Sequence, residues 1–456
     1  MTTSGHPTTL KPTDQSLSGE LPKDLRWNTA AFLVDYVCFG VAFTFLSISS
    51  VLPAFVDELT DSAPLIGLVS TAYSGAWLLP QLIVARLIND KPRKKPYLLT
   101  ATSGRIALWI IALALYLGLS RHPTAMLTLF FICLGLFAVT DGFASIAWFD
   151  IMARAIPLKQ RGRMIGVGQF VSGLLGIGVG QLVALILQNR PFPLNYALLF
   201  FLAGLILIPS AVALALLREP RPRPRPDDAA STSSWRDLWH VLRGDSAFQR
   251  LIASRLMVGM ISVATSFYVV HAATQLHLPT AVIGQFIGAQ TLASVISSPL
   301  LSWISERWGP HYVTRIAALT AMIGPLFAWT TEQVHIPAMY YAYPLVYAAL
   351  GFLNNAWLAG FSNYLLEIAP EHARPAYIGL GNTLAGILTV APILGGWLLE
   401  ATSYAVLFGL TTILVGIGFG LTLTLPPPAS ALPPAQETEE CPEAEPCCLC
   451  HCPPNQ

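Results

Sequence analysis

The sequence has 456 residues, of which 54% are hydrophobic and only 11% are charged, and its formal net charge is +1. A soluble domain carries about 25% charged residues, so this composition excludes an ordinary soluble protein. The near-neutral charge gives no reason to expect nucleic-acid binding. We therefore predict an integral membrane protein that lies in a lipid bilayer.

Twelve apolar segments are long enough to cross a hydrocarbon core of roughly 30 Å, which needs about 20 helical residues. Because backbone polar groups cannot stay unpaired in lipid, each segment predicts a helix. We expect an all-α integral membrane protein with 12 transmembrane helices. The predicted spans are approximately Thr29–Val56, Leu65–Ile88, Tyr97–Leu119, Thr124–Phe149, Met164–Leu187, Asn195–Leu217, Arg250–Ala272, Ala281–Ile304, Tyr312–Thr330, Ala338–Ser362, Tyr377–Leu399 and Tyr404–Leu425.

Lysine and arginine concentrate in the connections that follow the even-numbered spans. KPRKKP follows the second span and RAIPLKQRGR follows the fourth, whereas the connection after the first span, DELTDSA, is acidic. Basic loops stay on the cytoplasmic side of a membrane. The pattern predicts a multi-pass protein of the cell (plasma or inner) membrane with both termini in the cytoplasm.

The chain divides into two halves around a proline-rich, charged stretch that begins REPRPRPRP. PLKQRGRMIGVGQ (157–169) aligns without gaps with PEHARPAYIGLGN (370–382), which indicates an internal duplication into two six-helix repeats. SSWRDLWHVLRG suggests an amphipathic helix on the membrane surface. The predicted parts are a disordered cytoplasmic tail (1–26), a six-helix bundle (27–217), a cytoplasmic linker with an amphipathic helix (218–249), a second bundle (250–425) and a disordered Pro/Cys-rich tail (426–456).

The loop after the second span, RLINDKPRKK, resembles a motif of the major facilitator superfamily, and SWISERWGPH after the eighth span is a second copy. On these motifs the chain resembles that family from about Trp27 to Leu425. The resemblance implies a fold of two six-helix bundles and cytoplasmic latches, meaning ion pairs that break and reform as the halves move. The lysines alone would also fit the orientation rule. The latch residues are Asp90, Lys91, Lys94, Lys95, Asp150, Arg161, Glu306, Arg307, Gly309 and Arg374.

Two acids, Asp35 and Asp141, lie inside predicted spans. An ionisable residue within a membrane is a functional-site hypothesis, although it can equally form a structural ion pair, here with Arg105 or Arg255. Asp150 follows Asp141 by nine residues and so points to the opposite side of the helix. The candidate substrate- or proton-binding residues are Asp35, Asp141, Ser145, Trp148, Gln169, Asn354, Asn355, Trp357 and Asn382.

The C-terminal tail holds five of the seven cysteines. Thiolates and a histidine can bind soft metals, but the spacing matches no zinc motif. We favour a reduced tail without metal, and we expect no cofactor. The cluster consists of Cys447, Cys448, Cys450, His451 and Cys452.

These features favour a secondary active transporter that moves a small polar organic solute by alternating access and acts as a monomer. Proton coupling is left open. The alternative is an exporter of drugs and amphipathic cations, and a non-transporting receptor or metal sensor that signals through the tail is less favoured. No nucleophile–base constellation supports an enzyme, and no nucleotide-binding motif suggests ATP as the energy source.

Overall fold

The computed structural model describes residues 24–89, 93–220, 244–334, 336–370 and 374–427. Several predictions concern residues outside this part of the chain: both terminal tails, most of the linker with its amphipathic helix, the cysteine cluster, Asp90 and Lys91. The side chain of Arg374 is also outside it. Those predictions stay as they were made.

Within the described ranges the protein is built from twelve long helical segments, and no β-strand occurs there. A short helix, Pro337–Ala342, precedes the tenth. The segments are α1 (Leu25–Asp57, interrupted at residues 47–50), α2 (Ala63–Asn89), α3 (Lys95–Tyr116), α4 (Pro123–Ala155), α5 (Leu158–Asn189), α6 (Leu194–Leu216), α7 (Ser246–Thr274, interrupted at 260–261 and 266), α8 (Val282–Trp308), α9 (Pro310–Gln333), α10 (residues 344–368), α11 (residues 374–401) and α12 (Tyr404–Leu423).

Ten of these segments, counted over the described residues, are long and apolar enough to cross a membrane. The other two, α2 and α10, are helical where the remaining predicted spans lie. The prediction of an all-α, multi-pass membrane fold with two six-helix repeats is confirmed. The middle of α10, Trp357–Ser362, is a π-helical turn, which the apolar pattern does not reveal.

Glycine and proline set several helix ends. α8 ends at Trp308, and the following Gly309 has a φ of 90°, a backbone conformation that residues with a side chain rarely adopt. Pro310 then opens α9, where its missing N–H costs nothing. Gly309, predicted as a latch residue, therefore makes the sharp turn between α8 and α9.

The structure divides into two compact units. Unit 1 comprises Met1–Thr60 and Ala72–Ala229, and unit 2 comprises Asp61–Thr71 and Ala230–Gln456, each over its described residues. Inside unit 1, α1 packs on α5 and α6, and α3 packs on α4 and α6. Inside unit 2 the corresponding helices pack in the same way: α7 on α11 and α12, and α9 on α10 and α12.

One close helix contact in each unit depends on a glycine. A Cβ added to Gly142 of α4 would overlap the carbonyl oxygen of Trp77 in α2, and one added to Gly351 of α10 would overlap that of Gln290 in α8. Small residues let membrane helices approach closely. These contacts fix the fourth helix of each repeat against the second.

Candidate functional site

The most connected charge in unit 1 is Asp35 of α1, whose side chain is buried. Its Oδ1 accepts a hydrogen bond from the hydroxyl of Ser210 in α6, and its Oδ2 accepts one from the indole N–H of Trp148 in α4 at 2.8 Å. Arg105 of α3 places Nη2 at 3.7 Å from Oδ1. One carboxylate therefore joins four helices, and we call Asp35, Arg105, Trp148 and Ser210 the acid cluster.

The guanidinium of Arg105 is equally well satisfied. Its Nη1 donates to the hydroxyl of Ser210 at 2.7 Å and to the carbonyl of Leu207 at 3.3 Å, and its Cζ lies 5.9 Å from the ring centroid of Phe39. A buried ion pair is tolerated only when further hydrogen bonds complete it, as they do here. Asp35 thus has the Arg105 partner that the sequence allowed.

Asp141 of α4 has different surroundings. It is half-buried and accepts a hydrogen bond from the indole of Trp77 in α2, and Tyr73 of the same helix lies nearby. Arg105 is close enough to act on it electrostatically, but no ion pair to Asp141 occurs in the described part of the chain. Asp141 is therefore a carboxylate in an apolar helix that lacks a bonded cation there.

Ser145 and Trp148 lie four and seven residues after Asp141, so helical spacing puts them on its side of α4, but their polar atoms bond elsewhere. The hydroxyl of Ser145 bonds within its own helix to the Gly142 carbonyl at 2.8 Å. The indole of Trp148 reaches Asp35 rather than Asp141, and its ring meets that of Phe32 edge-on at 5.1 Å. The reason is that a long side chain one or two turns further along a helix can bond to a neighbouring helix instead of standing over the same spot.

A second group of charges in unit 1 lies at helix ends, and we call it the helix-end network: Lys94, Asp150, Arg154 and Glu219. Lys94 Nζ is 2.9 Å from Asp150 Oδ1, and Arg154 Nη2 bridges Asp150 at 2.8 Å and Glu219 at 2.9 Å. Glu219 also accepts the backbone N–H groups of Lys94 (2.8 Å) and Lys95 (3.1 Å). Asp141 and Asp150 thus face different groups, as their spacing predicts.

Glu219 was missed by the sequence analysis, because it stands among arginines and prolines and reads as part of a solvated linker. Lys95 sends its Nζ to the Leu217 carbonyl at 2.7 Å, so it caps α6 instead of pairing with an acid. Arg161 differs from the prediction in the same way. Its guanidinium donates to the carbonyls of Ile156 (2.8 Å) and Ala153, which have no partner within α4 because the helix ends there.

Among the described residues of unit 2, no such network surrounds the second copy of the loop motif. Glu306 is exposed, and no ion pair to it occurs among the residues described. The guanidinium of Arg307 instead lies over the ring of Trp303, 5.8 Å from its centroid. The two copies therefore have similar sequences but different electrostatic surroundings.

Arg255 of α7 is the buried charge of unit 2, with 8% of its surface exposed. Its Nη2 donates to Oδ1 of Asn382 in α11 at 3.4 Å, and its Cζ lies 5.6 Å from the ring centroid of Trp357 in α10. Nε has no hydrogen-bond partner among the described atoms, and no acid pairs with the guanidinium there. Arg255, Trp357 and Asn382 form what we call the arginine cluster.

The two neighbouring asparagines of α10, Asn354 and Asn355, have different surroundings. Asn354, which the 213-residue offset between 157–169 and 370–382 pairs with Asp141, is exposed. Asn355 donates to the carbonyl of Ser294 at 2.6 Å and to the hydroxyl of Ser297 at 2.9 Å, so it ties α10 to α8.

Gln169, one of the predicted substrate- or proton-binding residues, is half-buried on α5. His271 of α7 is fully buried, with Nδ1 at 2.9 Å from the Tyr343 hydroxyl and Nε2 at 2.7 Å from Glu332. The sequence analysis missed this pair, for which a histidine in an apolar run was the available signal. Across the described ranges, no group of three or more His, Cys, Asp or Glu side chains could hold a metal ion.

Comparison with known proteins gives a family and a fold. The family model described as Major Facilitator Superfamily matches residues 36–390. Among solved structures, the chain is similar to a D-xylose-proton symporter (TM-score 0.66, 15% identity, 88% of this chain and 99% of that one). It is also similar to a bacterial homologue of the iron transporter ferroportin in an inward-facing state (0.65, 15%, 88% and 99%) and to the nucleoside transporter NupG (0.60, 11%, 89% and 98%).

Curated relatives extend the comparison only in part. The uncharacterized proteins Rv2209 of Mycobacterium tuberculosis and Mb2232 of Mycobacterium bovis are each 22% identical over 255 residues, which is 55% of this chain and 48% of theirs. The chain thus spans about half the length of the curated relatives it matches. At these identities the likeness to the solved structures bears on the fold alone.

Proposed function

The chain belongs to the Major Facilitator Superfamily, and from this premise we propose that it is a secondary active transporter that moves a small polar organic solute by alternating access. Transporters of a nucleoside, a sugar and iron are among the solved proteins that share its fold, and this supports transport rather than an enzymatic reaction. The multi-pass membrane architecture provides the scaffold for it.

The observation that carries the proposal is Asp141. Moving a carboxylate into an apolar helix is costly, and such residues are rare unless they pair or take part in transport. Asp35 is satisfied by the acid cluster, whereas Asp141 receives one indole hydrogen bond from Trp77. We assign Asp141 to binding of solute or proton. The acid cluster holds α1, α3, α4 and α6 in place around it.

We propose that the helix-end network of unit 1 contributes ion pairs to the predicted latch. Lys94, Asp150, Arg154 and Glu219 join the beginning of α3 to the ends of α4 and α6 by ion pairs. The proposal includes a monomer in the cell membrane, with both termini and this network on the cytoplasmic side. The basic connections around the network support that orientation.

A second candidate function is export of amphipathic cations. It is favoured by the neighbours of Asp141, because Tyr73 and Trp77 give the carboxylate an aromatic surround. An acid beside aromatic rings can neutralise and cover an organic cation. Competition between solutes separates the candidates: the first predicts binding of polar solutes that carry no positive charge, and the second predicts binding of tetraphenylphosphonium.

The test begins with purified full-length protein and a library of polar solutes and organic cations, read as a change in melting temperature. A hit is then followed as radiolabelled uptake into proteoliposomes with and without a pH gradient. Asp141→Asn should abolish pH-dependent uptake while expression and melting temperature stay near the wild type. Asp141→Glu, which keeps the carboxyl group, is the matched control and should retain gradient dependence.

Two outcomes would count against the proposal. Uptake by Asp141→Asn with an unchanged response to the pH gradient would remove Asp141 from the mechanism. Absence of solute flux for every stabilising compound in well-sealed vesicles would remove transport itself.

A further inference from the structure

Arg255 is a buried cation whose charge is not balanced in the described structure. Its only hydrogen bond there is the one to Asn382, at a long 3.4 Å, and Nε bonds to nothing described. Burying a guanidinium without an acid costs several kcal/mol, because water no longer solvates it. The orientation rule offers no explanation, since Arg255 lies about a third of the way along α7 rather than at its end.

The surroundings of Arg255 suit a ligand that approaches from one side. Asn382 is exposed, and a polar side chain on a membrane helix faces the protein interior or water rather than acyl chains. Gly381 packs beside the guanidinium, where an added Cβ would lie 3.7 Å from Nη1 of Arg255. Trp357, at the beginning of the π-helical turn, packs against the guanidinium. Such π-helical turns are frequent at functional sites.

We propose that the arginine cluster binds the anionic oxygens of the transported solute, so that the solute is an organic anion with a carboxylate or phosphate group. This inference rests on the proposed transport function and narrows its substrate class. A guanidinium offers five N–H donors in a planar fork that matches two oxygens of one carboxylate or phosphate. The amide oxygen of Asn382 accepts from Arg255, so its NH2 group can donate to the same anion.

A lipid headgroup and a soluble organic anion can both present phosphate oxygens to the arginine cluster. Arg255 is nine residues from the beginning of α7, which corresponds to roughly 14 Å along the helix. We assign the site to a soluble organic anion, because transporters of this architecture bind their substrates away from the membrane surface. Repeating the measurement below with phosphatidylglycerol added to the micelles separates the two sources.

The test uses full-length protein in an uncharged maltoside detergent at constant ionic strength. Melting temperature is measured with sodium benzoate, sodium succinate and inorganic phosphate, and with benzamide, succinamide and sodium chloride as controls. We expect one or more of the three oxyanions to raise the wild-type melting temperature by a few degrees, and the controls to leave it unchanged. Arg255→Gln should lose this response, and Arg255→Lys should weaken half-saturation about tenfold.

Arg250→Gln is the matched control, because Arg250 is an exposed arginine of the same helix that bonds to the Thr424 carbonyl. It should respond to the oxyanions as the wild type does. Without any ligand, Arg255→Gln should melt at or above the wild-type temperature, because the change removes an uncompensated buried charge. A purely structural role for Arg255 would instead lower the melting temperature.

Several results would overturn the inference: no stabilisation by any of the three oxyanions, an equal response in Arg255→Gln, or a response that requires phosphatidylglycerol. Failure of this inference is distinguishable from failure of transport. If only neutral solutes were transported and raised the melting temperature, the transport function would be supported and the anion site would be rejected. Arg255-dependent stabilisation by oxyanions with no flux in proteoliposomes would leave the site and remove the transport function.

Discussion

Each unit has an arginine with little exposed surface inside an apolar helix, yet the described structure surrounds the two charges differently. Arg105 in unit 1 meets a carboxylate, a hydroxyl and a carbonyl, and the carboxylate is itself completed by Trp148 and Ser210. Arg255 in unit 2 meets one amide oxygen and the face of a tryptophan. The same residue type is therefore part of the internal support in one unit and an open binding group in the other.

This difference shows how buried charge can be read. Removing a guanidinium from water costs free energy at both sites. Each charge must therefore be compensated, either by other groups of the chain or by a bound ligand. Arg105 is compensated within unit 1. In the described structure, Arg255 makes one long hydrogen bond through Nη2 and none through Nε, which suits a ligand with two anionic oxygens.

The largest expected effect is on Arg105. Arg105→Gln should lower the free energy of unfolding by about 3–5 kcal/mol, because Asp35 would stay buried with an uncompensated charge. The measurement is denaturation of the purified protein in mixed micelles. The double variant Asp35→Asn with Arg105→Gln should recover most of that loss, since neither charge is then buried. A single variant as stable as the wild type would show that the acid cluster is not the internal support.

A smaller effect of opposite sign is expected in unit 2. Asn382→Asp places a carboxylate, with no change of shape, where the amide oxygen now lies 3.4 Å from Arg255. It should raise the free energy of unfolding by about 2 kcal/mol, the scale of a hydrogen bond between charged groups. It should also remove the response to oxyanions, because Arg255 would then have its own acid. Asn355→Asp is the matched control, since the amide of Asn355 is tied to α8 by its bonds to Ser294 and Ser297.

The sequence was sufficient to predict the fold, and it also marked two acids of the candidate site. Helix positions follow from apolar length, because a membrane leaves the backbone no alternative to internal hydrogen bonding. The acids Asp35 and Asp141 stood out for the same reason. Their partners could not be read in this way: Trp148 pairs with Asp35 through contacts between helices, and the sequence pattern fixes only neighbours on one helix.

Other differences have equally local causes. Glu219 was missed because charge in a proline-rich stretch usually indicates a linker, whereas here the residue lies directly beside helix ends whose N–H groups need an acceptor. The lack of an acid partner for Arg255 in the described structure depends on contacts between helices, which the sequence does not reveal.

Substitutions of the two tryptophans that contact these charges, Trp148 and Trp357, should change the free energy of unfolding by different, moderate amounts. Trp148→Phe should lower the free energy of unfolding by about 1–2 kcal/mol, because Asp35 loses the indole N–H donor. Trp357→Phe keeps an aromatic face over Arg255 and should cost at most about 0.5 kcal/mol. Parallel denaturation curves would decide this. Equal losses in the two variants would mean that ring packing, not hydrogen bonding, explains Trp148.

The smallest expected effects compare the two loop copies. Glu219→Gln should cost about 1 kcal/mol, since Arg154 and the backbone N–H groups of Lys94 and Lys95 lose a shared carboxylate while the network excludes much of the solvent. Glu306→Gln should cost less than about 0.5 kcal/mol, because an exposed acid without an ion pair in the described structure loses little. High salt should reduce the Glu219 effect and leave Glu306 unchanged. If the two variants were equally stable at low salt, the helix-end network would contribute no more than an ordinary surface charge, and the asymmetry between the units would be confined to their buried arginines.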